Sequence, residues 1–219
     1  MAKSEYANAV DQIQRALRPV LKDWCFKVRG RTFNRVTDDG LTQVINLQMG
    51  ASDPPGTTYI PGLRENLHGL FTVNLGVYVP EVAKHHGGGE ARSWIHEYDC
   101  CVRARLGAAP SAPGLWWHAR AEGAVVDDVR RCLERGGLPF LNRFASRDRI
   151  LAEWSGQSEN SDAGSPPRIV MAIILAERGE RDQARALLAA QALETRNPGH
   201  PDYVRQLANQ LSLGTLDRR

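Results

Sequence analysis

His85, His86 and His96, with Glu90 and Asp99, are the one cluster in the sequence that carries the donor types of a metal site. Their spacing fits neither the H-E-x-x-H helix nor a cysteine–histidine finger, the patterns that bring such donors onto one ion. The histidines are therefore expected to lie on the surface, His85 and His86 in a glycine-rich loop over residues 84–90, with no metal and no cofactor. Gly87, Gly88 and Gly89 lack the Lys-Ser/Thr ending of a phosphate loop and read as a flexible tip.

A nucleophile is no easier to place. The sequence has no G-x-S-x-G, and Cys100 and Cys101 have only His96 close by. Adjacent cysteines on a strand point to opposite faces, and structural cysteines are more often inert than reactive. No catalytic residue is nominated. Trp116 and Trp117, followed by His118, are expected to cover a core edge, with anchoring of a partner as the alternative.

What remains is recognition. On two strongly alternating stretches, Thr42, Asn46, Gln48, Thr72, Asn74 and Tyr78 fall on the side opposite the apolar residues, and Arg103 and Arg105 share one face of a later strand. Antiparallel pairing would gather them on one sheet face, where amides and guanidinium groups can bind a carboxylate, a phosphate or a polar protein surface. Asn46, Gln48, Asn74, Tyr78, Arg103 and Arg105 are the predicted binding surface. The competing reading is a solvated face of an ordinary sheet. Lys27, Arg29 and Arg31, with Arg35 nearby, form a basic stretch, but edge strands carry such charge merely to avoid aggregation. A net charge of +3 adds little pull on nucleic acid, and no basic block is interleaved with aromatics, so nucleic acid is not the expected partner.

The elements that must position these residues are legible from period. Tyr6, Val10, Ile13, Leu17 and Leu21 recur at helical steps and predict an amphipathic helix ending near residues 19–23. Phe26 and Val28, then Gly30, then residues 32–36 predict a hairpin. Leu41, Ile45, Leu47 and Met49 alternate, as do Phe71, Val73, Leu75, Val77 and Val79, and Pro80 ends the second run. Residues 50–69 between them predict a long surface loop, and residues 99–106 a further strand. Val125, Val126, Val129, Cys132 and Leu133 mark a helix that Gly136 and Gly137 are expected to close, with a short helix over 147–154 beyond. The class is α+β: an antiparallel β-sheet packed against helices.

Residues 155–167 are rich in Ser, Gly, Asn and Pro and read as a linker between a domain over 1–154 and a helical segment over 168–219. That segment resembles a tetratricopeptide-like hairpin, which needs further surface to bury its faces, in cis or on a second copy. The first residues lack the apolar stretch of a secretory leader and the longest apolar run is too short for a membrane span, so a cytoplasmic location is expected.

The stretches RTFNRVTDDGLTQVINLQMG, FTVNLGVYVPE and CVRARLG, with the later LWWH and GLPFLNRF, together resemble the bacterial domain-of-unknown-function family 4304 over about residues 10–155. The strand over 43–48 and the strand over 71–78 carry the resemblance in order and spacing. Some members of that family look like neighbours of polymorphic toxins, so the resemblance implies an immunity role, and it brings no catalytic residues. The expectation is a non-catalytic protein that binds another protein, with an enzyme or ligand binder built on the polar face, or a dimerising helical tail, as alternatives.

Overall fold

A computed structural model of the chain describes residues 4–51, 66–86, 92–109, 112–155, 165–194, 197 and 199–216. Helix α1 (Glu5–Asp23) opens on Ser4, whose hydroxyl accepts the Ala7 amide at 3.2 Å and so satisfies one of the donors that a helix start leaves open. Val10, Ile13, Leu17 and Leu21 are buried along the predicted stripe. The helix ends in a left-handed turn at Cys25, φ 66°, where the Cys25 amide donates to Lys22 and the Phe26 amide to Leu21, both at 2.9 Å. Glycine ordinarily holds that turning position.

Strands β1 (Lys27–Arg29) and β2 (Thr32–Val36) form the predicted hairpin, turning at Gly30 with φ 58°. β3 (Thr42–Met49) lies between β2 and β4 (Leu70–Tyr78), and β5 (Val102–Arg105) pairs with β4, every pairing antiparallel. β6 (Ala108–Ala109) and β7 (Ala112–Pro113) form a separate small hairpin, and β8 (Trp117–His118) returns to pair with the start of β4. Ile45, Leu47, Val73, Leu75 and Val77 share one core with the α1 stripe, as their alternation requires. Each such side chain contributes roughly 1.5–3 kcal/mol on burial. Most of the predicted loop over 50–69, residues 52–65, lies outside the described residues.

Two predictions about glycine-rich stretches are corrected. Residues 84–86 are not loop: helix α2 (Pro80–His86) takes in Lys84, His85 and His86, because Pro80 is preset for a first helical turn and Glu81 is favourable in it. Residues 87–91 lie outside the described residues. Nor do Gly136 and Gly137 stop the helix that follows. α3 (Gly123–Cys132) runs through a π-helical turn (Leu133–Gly137) directly into α4 (Leu138–Arg143). A Cβ at Gly137 would lie 2.9 Å from Leu133 and 3.5 Å from Leu106, so the missing side chain serves close approach to the sheet.

α5 (Arg147–Trp154) leads to three C-terminal helices, α6 (Pro167–Glu177), α7 (Arg181–Glu194) and α8 (His200–Gln210). α6 is buried on all sides from Ile169 to Leu175, with α7 against it and α2 and α5 also in contact, and α8 touches both α7 and α2. A helix apolar all round belongs at the centre of a packed layer. Its residues are continuous with the core under the sheet, so the C-terminal helices pack in cis. Residues 156–164 of the predicted linker lie outside the described residues. Among the described residues no helix is long and apolar enough to cross a membrane.

Candidate binding surface

The even-numbered residues of β3 and β4 face away from α1, and the register sorts them into rows across the sheet. One row runs Thr32, Asn46, Asn74, Arg105; the next runs Asn34, Val44, Gly76, Arg103. Asn46, Asn74 and Arg105 are therefore neighbours, as the alternation predicted. Asn46 Nδ2 donates to Thr32 Oγ1 at 2.9 Å, and Asn74 Nδ2 donates to Gln48 Oε1 at 2.6 Å. The Arg105 guanidinium lies over the Trp116 ring, 4.8 Å from its centre. Thr72 is buried and donates to the Leu115 carbonyl at 2.7 Å.

The second row is covered. Asn34 donates to the Ile95 carbonyl at 2.9 Å and accepts the Ile95 amide at 3.0 Å, fastening the segment after residue 91 across the sheet. Val44, Tyr78, Ile95 and Cys100 form a small second core there. Gly76 permits it, since a Cβ at that position would sit 2.6 Å from Cys100 Sγ. A short 3-10 turn (Glu97–Asp99) completes the cover: Arg103 reaches Glu97 at 2.6 Å and Arg92 reaches Asp99 at 3.0 Å.

The predicted surface is thereby narrowed. Asn74 and Tyr78, expected on an open face, are each only 7% exposed. A segment some twenty residues further along the chain covers Tyr78, whereas Asn74 lies between Asn46 and Arg105 and is bonded to Gln48. Asn46, Arg103 and Arg105 are half-buried and Gln48 is exposed, so the open part of the face centres on Asn46, Gln48 and Arg105 with Trp116 beside them.

Beside the cover, a groove of about 520 Å³ opens between the first hairpin and residues 92–95, with Lys27, Val36, Thr42, Tyr78, Arg92 and Trp94 in its wall. The sequence reading passes over Val36 and Arg92, because neither belongs to a periodic pattern. Asn34, an amide buried within a five-residue strand, marks in the structure the second layer on this side.

The other candidates do not converge. His85 pairs with Glu177 at 2.8 Å and His86 bonds the Tyr203 hydroxyl, whereas the His96 amide donates to Asp99 in the 3-10 turn. Among the described residues no group of three or more His, Cys, Asp or Glu is arranged to hold a metal ion. Burial pushes the Cys101 thiol up to about 12 and Cys100 well above its ordinary value, which removes the thiolate that nucleophilic chemistry requires. The basic stretch is split: Arg31 pairs with Asp11 at 2.7 Å, and Arg35 turns inward to Gln43 and the Trp24 carbonyl, leaving Lys27 and Arg29 exposed. Trp117 covers a core edge as predicted, stacked on Phe71 and donating to Asp128 at 2.9 Å.

Fold and surface define an α+β protein with one sheet face under helices and the other partly open and polar. Residues 64–143 match the family model described as a domain of unknown function, DUF4304. The match lies inside the stretch over which the sequence resembles that family, and it takes in β4 and β5. No curated protein and no solved structure matches the chain.

Proposed function

We propose that this chain is a non-catalytic protein that binds another protein on its outer sheet face, and that the partner is a bacterial toxin neutralised by being occupied. The observation that carries the reading is the ordered patch of Asn46, Gln48 and Arg105. Thr32 holds Asn46, the buried Asn74 holds Gln48, and Arg105 is stacked on Trp116. Side chains held before contact lose less freedom when a partner arrives. Arginine and tryptophan are also the residue types that most often dominate interface energies. The likeness to DUF4304 supports an immunity role, and a cytoplasmic site of action fits a partner made in the same cell.

Co-expression with toxins encoded beside the gene tests the proposal. Survival is expected with the wild-type chain and is lost with Gln48→Arg, at an exposed position, with the fold of the variant checked by circular dichroism. Killing that the wild-type chain does not change would contradict the proposal.

A further inference from the structure

The groove beside Tyr78 is a second feature of the outer face, and its chemistry differs from that of the amide row. Among the described residues its charged lining groups, Lys27 and Arg92, are both basic and none is a carboxylate. Asp99 holds Arg92 at 3.0 Å from the covered side; the Asp99 side chain is 11% exposed and that of Arg92 is 55% exposed. The guanidinium is thus anchored by one carboxylate and open to another. Val36, at the end of β2, is 70% exposed, unusual for a β-branched strand residue with apolar neighbours at hand. Trp94 closes the wall opposite the hairpin, and the pair of hydrogen bonds between Asn34 and Ile95 fixes the two walls relative to each other.

We infer that this groove seats an acidic segment of a partner protein, with an apolar side chain against Val36 and Trp94 and flanking carboxylates on Lys27 and Arg92. The inference rests on the protein-binding reading and names the chemistry of the segment recognised. Charge complementarity selects the occupant: two cations at the groove attract carboxylates and repel a basic chain. Arginine presents a planar fork that a carboxylate matches. A nucleic-acid strand is a poorer fit, because sequence-tolerant binding of bases stacks successive bases on a series of aromatic faces, and with the Tyr78 ring buried in the second core the described lining offers Trp94 alone.

The test uses the full chain and fluorescein-labelled short peptides that share a leucine centre and differ in flanks of glutamate, serine or lysine, with a short oligo-thymidylate alongside. Fluorescence polarisation is expected to rank the glutamate peptide first. Lys27→Glu, an exposed substitution, should weaken that peptide by about fivefold and favour the lysine one, as expected for an exposed charge pair. Val36→Asp should weaken the glutamate peptide as well. Equal binding of the three peptides, an order that Lys27→Glu does not alter, or tighter binding of the oligo-thymidylate would overturn the inference. Failure here with toxin rescue intact removes the groove and leaves the protein-binding reading standing. A glutamate preference without rescue does the reverse.

Discussion

Arg147 and Glu81 meet fork to fork: Nε lies 2.5 Å from Oε1 and Nη2 lies 2.8 Å from Oε2. The same arginine gives its backbone amide to Asp39 at 2.7 Å, so one residue at the start of α5 fastens α2 and the turn between β2 and β3. The Glu81 carboxylate, first, and then Asp39 raise the Arg147 guanidinium above its ordinary value. Both partners are largely covered, with side chains 22% and 11% exposed. Arg147→Ala leaves Glu81 covered and without its partner, and should cost about 2 kcal/mol, less than a fully buried pair because water still reaches the site. Arg147→Lys keeps the charge, loses the fork and should cost about half as much. Urea unfolding measures both; equal midpoints for wild type and Arg147→Ala would show that the clamp adds nothing.

Cys25 adopts φ 66° at the closing turn of α1 and is exposed. A β-carbon is strained in that conformation, and glycine is not. Cys25→Gly should therefore stabilise the fold by about 1 kcal/mol despite the greater freedom glycine gives the unfolded chain. A lower melting temperature for the variant would contradict this.

Gly76 and Cys100 are expected to be coupled. Gly76→Ala places a methyl 2.6 Å from Cys100 Sγ and should cost about 2 kcal/mol while loosening residues 92–101. Cys100→Ala removes the obstructing sulfur, so the double variant should recover part of that loss. Hydrogen exchange across residues 92–101 separates loosening of this segment from general destabilisation; strictly additive costs would argue against direct contact.

Burial, and then the neighbouring His200, hold His86 below the ordinary imidazole value. The groups around it are Tyr203 and His200 on α8, with the His85, Lys84 and Glu177 cluster alongside. Above about pH 6.5 His86 is neutral in both folded and unfolded chains, so its contribution to stability is constant there. As pH falls through that value toward the lower folded one, the unfolded chain takes up a proton that the folded chain resists, and stability declines. Glu177, lowered first by His85, loses its contribution in a separate and more acid window. His86→Gln should therefore flatten the decline that begins as the pH falls through about 6.5. Parallel stability profiles for the two proteins would contradict the assignment.

How much of this was legible in the sequence follows from period. The α1 stripe and the alternation of β3 and β4 are repeated over several turns or residue pairs, and they fixed both the core and the row that joins Asn46, Asn74 and Arg105. Residues 84–86 read as loop because α2, with its turn or two between Pro80 and a glycine run, is too short to show a period. Gly136 and Gly137 were read as a stop because composition does not distinguish a helix end from a helix pressed against a sheet. The cover over Tyr78 depends on Asn34 meeting Ile95 across sixty-one positions, a pairing that no local pattern announces. It is this long-range contact, and not a misread strand, that buries part of the predicted surface.

The most direct measurement of the central claim is quantitative affinity capture from extract of the native host, comparing the wild-type chain with Gln48→Arg and with the combined Asn46→Ala, Gln48→Ala and Arg105→Ala variant, each verified as folded by circular dichroism. One stoichiometric protein partner, retained by the wild type and lost from both variants, is the predicted result. A partner held equally by all three, or none held by any, would contradict the claim that the outer sheet face is the binding surface.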